Sequence, residues 1–214
     1  MSRRFARVLA VALVLVLVTS QTSQAAWYAG NKRISGYGVK AQIGTPTGEP
    51  AIYGGSGSGE SSWVSATHYV SETDYSWVQT GWLFYPNDGV SRAQQYEEAL
   101  VGGWYSGIIK YAYQQWSTSI EYRVEYVGNS NWKVYVAGSG KDTFGPLPAP
   151  TEMQALLEVQ GSSDNQASTP FLNVSYQSSQ GSGWTLFDQA NWVETYPYRP
   201  SRTATYQWNS YRQP

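Results

Sequence analysis

The sequence has no cysteine, a single histidine and little charge, with 14% of its 214 residues charged. Without cysteine there are no disulfides, no thiolate nucleophile and no iron–sulfur or structural zinc site of the usual sort. With His68 alone, an H-E-x-x-H zinc peptidase lacks its second imidazole. A Ser-His-Asp triad has one candidate base and no G-x-S-x-G elbow to serve it. No basic cluster is present to hold a phosphate backbone, so nucleic acid is not an expected partner. No repeat of about 20–50 residues is visible, which argues against a propeller. Tryptophan and tyrosine, by contrast, are plentiful at 10 and 18 residues, enough to pack a core.

The long apolar run stands at the start. Arg3, Arg4 and Arg7 precede an unbroken stretch of Val, Leu and Ala from Val8 to Val18. Ser23 and Ala25 sit at −3 and −1 of a plausible cut before Ala26. The run is too short for a bilayer span, which needs about 20 residues. Residues 1–25 are therefore expected to be a signal peptide, and residues 26–214 a single exported domain. Losing three arginines would leave 11 basic against 15 acidic residues, a formal charge of about −4. The expected mature chain is a monomer, free of the membrane and extracellular.

Aromatic and β-branched residues alternate with polar ones in short stretches separated by Gly, Ser, Asn and Pro. Strands are expected near 37–43, 61–66, 75–85, 105–115, 120–127, 131–137, 153–159, 171–177, 183–188 and 203–208. Gly128-Asn129-Ser130-Asn131 reads as a tight hairpin connection. Ser91 to Leu100 suggests one or two helical turns, with Ser91 as N-cap and Gln94 closing a capping box. Residues 151–159 are good helix formers, yet their strand-rich surroundings favour a strand. The expected fold is all-β, a two-sheet antiparallel β-sandwich of the concanavalin or jelly-roll kind.

Two polar side chains stand out within apolar strands. In Tyr75–Tyr85, Trp77, Gln79, Gly81 and Leu83 share one face, and Val78, Thr80, Trp82 and Phe84 the other. Gln79 must be satisfied or open on a cleft, since an unpaired buried amide costs about 1–3 kcal/mol. Gly81 leaves room for a neighbouring backbone. Glu158 shares a face with Gln154 and Leu156, while Leu157 and Val159 beside it face the core. Partial desolvation there suits a carboxylate to general acid–base work. Taken alone, each residue reads better as structural than as catalytic. Glu97-Glu98 and Glu121/Glu125 read better as solvated charge than as a glycosidase dyad. Tryptophans such as Trp63, Trp82, Trp104, Trp116 and Trp132 divide between the core and a binding groove.

Together these segments resemble the secreted glutamic peptidases of the eqolisin and neprosin type, over roughly residues 36–190. Trp77-Val78-Gln79-Thr80-Gly81 is similar to the L-Q-T-G segment that carries the eqolisin glutamine. Gln79-Thr80-Gly81-Trp82 followed by Tyr85-Pro86 is similar to the neprosin E-A-G-W segment. Leu157-Glu158-Val159 matches the strand holding the catalytic glutamate, and Ser61-Ser62-Trp63-Val64 the S-A-W-V strand. Two places depart from the pattern. Ser65-Ala66-Thr67-His68 stands where eqolisins carry an aspartate, and Tyr113-Gln114-Gln115-Trp116 looks like the Y-E-W strand without its glutamate. The resemblance implies a Gln79/Glu158 dyad that hydrolyses peptide bonds at acidic pH. It implies Trp63, Trp77, Gly81 and Gln154 as substrate-binding residues, a polypeptide substrate, and no metal or cofactor. A carbohydrate-binding sandwich and a catalytically inactive relative are the alternatives.

Overall fold

A computed structural model describes residues 26–214 apart from Glu72, 188–190 and Thr205. The expected signal peptide lies outside the described residues. Among the described residues sixteen strands form two sheets, and every pairing is antiparallel.

The first sheet runs β14 (Asn191–Glu194), β1 (Ala26–Gly36), β11 (Thr151–Gln160), β3 (Gly59–Tyr69), β4 (Tyr75–Phe84) and β5 (Ala93–Val101). Both β6 (Trp104–Tyr105) and β7 (Ile109–Gln114) pair with β5. The second sheet runs β10 (Ser139–Phe144), β9 (Asn131–Val136), β8 (Ser119–Gly128), β2 (Gly38–Gly44), β12 (Ser168–Gln177), β16 (Gln207–Arg212) and β15 (Tyr198–Ala204). The short β13 (Trp184–Leu186) pairs with β12. One 3-10 turn, Pro86–Asp88, is the whole helical content of the described residues.

The core lies between the sheets. Val64, Val78, Trp82, Leu157 and Val159 of the first meet Val39, Ile43, Tyr122, Trp132 and Phe171 of the second, all fully buried. Two polar groups in this layer cross it to find partners. Trp82 Nε1 donates to Gly44 O at 3.0 Å, and the hydroxyls of Ser62 and Thr169 meet at 2.8 Å. Burying such groups unpaired would be costly. The β8–β9 hairpin turns at Asn129 and Ser130, both with left-handed φ, the geometry of the favoured two-residue hairpin turn.

The helical expectation for Ser91–Leu100 is overturned: the segment is β5, paired with β4 from Trp77↔Leu100 to Leu83↔Gln94. Its polar, helix-favouring composition carries little weight against a two-sided backbone ladder and burial in a sheet.

Candidate active site

Strands β1, β11, β3, β4 and β5 present their alternate residues on the outer face of the first sheet, so the register lays side chains in rows. One row reads Lys32, Gln154, Ser65, Gln79, Glu98. The next reads Gly30, Leu156, Trp63, Gly81, Tyr96, and the third Tyr28, Glu158, Ser61, Leu83, Gln94. An apolar strip of Trp63, Leu156, Leu83 and Tyr96 thus lies between polar groups. A cleft of about 670 Å³ opens over it, lined by Gln79, Glu158, Glu98, Trp63, Trp77 and Gln154 among others. Tyr69, Tyr75, Trp77, Tyr105 and Ile108 line the cleft as well.

Gly81, expected among the binding residues, stands in the row of Trp63 and Tyr96 but is not among the residues that line the cleft. Its role is backbone approach. A Cβ built there would stand 1.9 Å from Ser62 O and 2.7 Å from Trp63 Cα. Backbone cannot step aside as a flexible side chain can. Gly81→Ala is therefore expected to cost about 1–3 kcal/mol or more, read as a lower urea midpoint. An unchanged midpoint would show that β3 and β4 have slack here.

Glu158 is held by donors alone. Trp63 Nε1 donates to Oε2 at 3.1 Å, and Gln160 Nε2 and Tyr28 Oη donate to Oε1 at 2.8 and 3.3 Å. Gln79 is bound elsewhere: its Nε2 donates to Glu98 Oε1 at 2.6 Å and to Tyr96 Oη at 3.1 Å. Glu98 Oε2 accepts from Tyr105 Oη at 2.7 Å. Burial pushes the Glu98 carboxyl above its ordinary value, the Tyr105 and Gln79 donors oppose this, and the negative charge of Glu158 adds to it. Gln79 and Glu158 lie two strands apart, about 10 Å across the sheet, and four residues apart along it. No hydrogen bond joins them among the described residues. Trp63 and Tyr96 occupy the ground between.

Gln154 lies between Lys32 and Ser65 in its row, donating to Glu152 Oε1 at 2.6 Å and to Tyr69 Oη at 3.2 Å, with Glu152 paired to Lys32 at 3.2 Å. His68 lies on the β3 face opposite the cleft, in register with Ser76. Glu194, the next glutamate along the chain after Glu158, is exposed on the edge strand β14 opposite Ala29. Sequence reasoning missed Tyr28 and Glu98. The strand beside Gln79 is β5, with Tyr96-Glu97-Glu98, whereas Tyr113–Gln114 falls on β7, one strand further out. A Y-E pair downstream of Gln79 was the signal available for it.

Comparison with solved structures gives this face its context. A scytalido-glutamic peptidase solved with a transition-state analogue inhibitor superposes with a TM-score of 0.60, covering 89% of this chain and 100% of that one at 15% identity. The fold is that of the glutamic peptidases. Two further structures of this fold agree at the same coverage. They are a scytalido-glutamic peptidase with a peptide-based transition-state analogue (TM-score 0.56, 14% identity) and SCP-B of the eqolisin family with the tripeptide Ala-Ile-His (0.55, 16%). No family model and no curated protein matches the sequence. At such identities the glutamic peptidase fold is established by three-dimensional agreement, which sequence comparison does not reach.

Proposed function

We propose that the chain is an exported glutamic peptidase that cuts polypeptides in the cleft of its first sheet. The observation that carries this reading is that Gln79 and Glu158 open on one cleft of one sheet face, with Trp63 bonded to Glu158. Two chains of the same fold are solved with transition-state analogues and a third with a tripeptide. An extended peptide would lie across the strands, its scissile carbonyl over the Trp63–Tyr96 strip. Glu158 takes a proton from water, and the water oxygen attacks the carbonyl carbon. Glu158 then returns the proton to the amide nitrogen as the C–N bond breaks, releasing an acid and an amine. Gln79 works from the other side of the carbonyl. Neprosin-like traits belong to this same reading, as does an acidic optimum.

The carbohydrate-binding alternative expects a row of exposed tryptophans. Trp63, at the centre of the cleft, is only 5% exposed, and Trp82 and Trp132 are in the core. The test is to incubate residues 26–214 with denatured casein from about pH 3 to 8. Cleavage at acidic pH that persists with metal chelators is expected. Well-folded protein that cuts nothing at any pH would overturn the reading and leave glycan binding to be measured next.

A further inference from the structure

On that peptidase reading, we infer that Gln160 is the positioning residue of the general base: with Tyr28 it fills one oxygen of Glu158, so that the other, Oε2, is the atom that takes the proton from water and returns it. In Glu158-Val159-Gln160 the first and third residues share one face of β11, about 7 Å apart, and both line the cleft. An ionised carboxylate only accepts, so the glutamine must present its NH₂ to it and not its oxygen. Gln160 Nε2 donates to Glu158 Oε1 at 2.8 Å, and Tyr28 Oη donates to the same oxygen at 3.3 Å. The opposite end of the amide is fixed as well, since Gln160 Oε1 accepts from Tyr85 Oη at 3.2 Å. Burial first, then the charge of Glu158 and the hydrogen bond to it, raises the Tyr28 phenol above the ordinary tyrosine value, so it stays a donor.

The two carboxylate oxygens are thereby made unequal. Each has about two lone-pair sites, and on Oε1 both are taken. Oε2 accepts one hydrogen bond among the described residues, from Trp63 Nε1 at 3.1 Å. Trp63 stands opposite Leu156, one row nearer to Gln79 than Glu158 is, whereas Gln160 is one row further away. Oε2 therefore faces the strip over which the scissile carbonyl would rest. The indole is a donor only, so it cannot remove the proton that Oε2 receives. Trp63 is itself held among Leu83, Leu156 and Tyr96, which keeps its N–H in place. With the proton on Oε2, Oε1 keeps both of its donors as a carbonyl oxygen. A proton on Oε1 would instead be set against the hydrogens of Gln160 and Tyr28. The proton taken from water is thus carried on the oxygen that faces the strip, from which it passes to the amide nitrogen.

The test uses residues 26–214 and a fluorogenic peptide built from a bond that the wild type cuts in casein. Gln160→Met keeps the length of the side chain and loses the donor. Its kcat is expected to fall about 10–100-fold, the order of one hydrogen bond to a charged group, with KM within about twofold. Added to Glu158→Gln, the same substitution should cost nothing further, because the group it acts through is already gone. Full kcat in Gln160→Met, with Glu158→Gln impaired, would overturn the inference and leave the peptidase reading standing. A loss that repeats in the Glu158→Gln background would overturn it too. A wild type that cuts nothing would remove both. Side-chain amide NMR of the wild type depends neither on turnover nor on the folding of a variant. One Gln160 Nε2 proton should resonate well downfield of the free-amide position and exchange slowly through its bond to Glu158. A free, fast-exchanging Gln160 amide would sink the assignment.

Discussion

Glu158→Gln is expected to lower kcat by about 10²–10⁴-fold, the usual worth of a positioned general base. The substitution preserves shape, so the loss isolates the proton-accepting oxygen. It also has a structural signature. Tyr28, Trp63 and Gln160 all donate to the carboxylate. An amide in its place must set an NH₂ against at least one of these donors, and leaving a buried donor unmatched costs about 1–3 kcal/mol. A lower melting temperature should therefore accompany the lost turnover. Measuring both in one preparation separates chemistry from folding. A variant that cuts at the wild-type rate would remove Glu158 from the role of base.

Thermal stability should be highest in mild acid and fall steadily from about pH 4.5 to pH 7. Glu60 and Glu97 both sit at 0% exposure on the core side of the first sheet. Neither oxygen of Glu60 has a hydrogen-bond partner among the described residues. Burial raises its carboxyl well above the ordinary 4.5, favouring the neutral acid in the folded state. Burial likewise raises Glu97 to about 7, with Asp142 adding to the shift and the Tyr111 hydroxyl opposing it. A raised carboxyl keeps its proton in the folded state where the unfolded chain has lost it. Stability is thus complete below the unfolded value and declines as pH rises towards the folded one, by about 1.4 kcal/mol per pH unit for each group. For a chain of this size, each kcal/mol is about 2–4 °C in melting temperature. Glu60→Leu should make the slope shallower while leaving the melting temperature at pH 4 nearly unchanged. A flat profile from pH 4.5 to 7 in the wild type would show that both carboxyls ionise without cost. An enzyme built this way is suited to acidic surroundings, in keeping with the proposed optimum.

Much of the sheet was legible because covered strands write their alternation plainly. The two faces of 75–85 and of 153–159 were assigned correctly from Trp77/Gln79/Leu83 against Val78/Thr80/Trp82, and from Glu158 against Leu157 and Val159. Ser91–Leu100 was misread because its propensities are local to the segment while its stabilisation comes from pairing with β4 and β7 on either side of it. β1 went unread for a related reason: Gly30, Asn31, Lys32 and Arg33 interrupt any apolar period, and their place is set by β11. The same blindness hid Glu98. As part of an acidic pair it looks solvated, and only the pairing Gln79↔Glu98 turns it into the group that orients the glutamine.

Tyr28 and Glu158 are 130 residues apart in sequence, and Trp63 and Glu158 are 95 apart. The strand bearing Glu158 finds its neighbours, β1 and β3, only from the far end of the chain. Contacts of such long range form slowly and late in folding. Unfinished or partly unfolded copies of this chain therefore hold every component of the site but not the arrangement. On the proposed peptidase reading, a chain that could digest its own unstructured copies is, by this topology, inert for as long as it is itself unstructured.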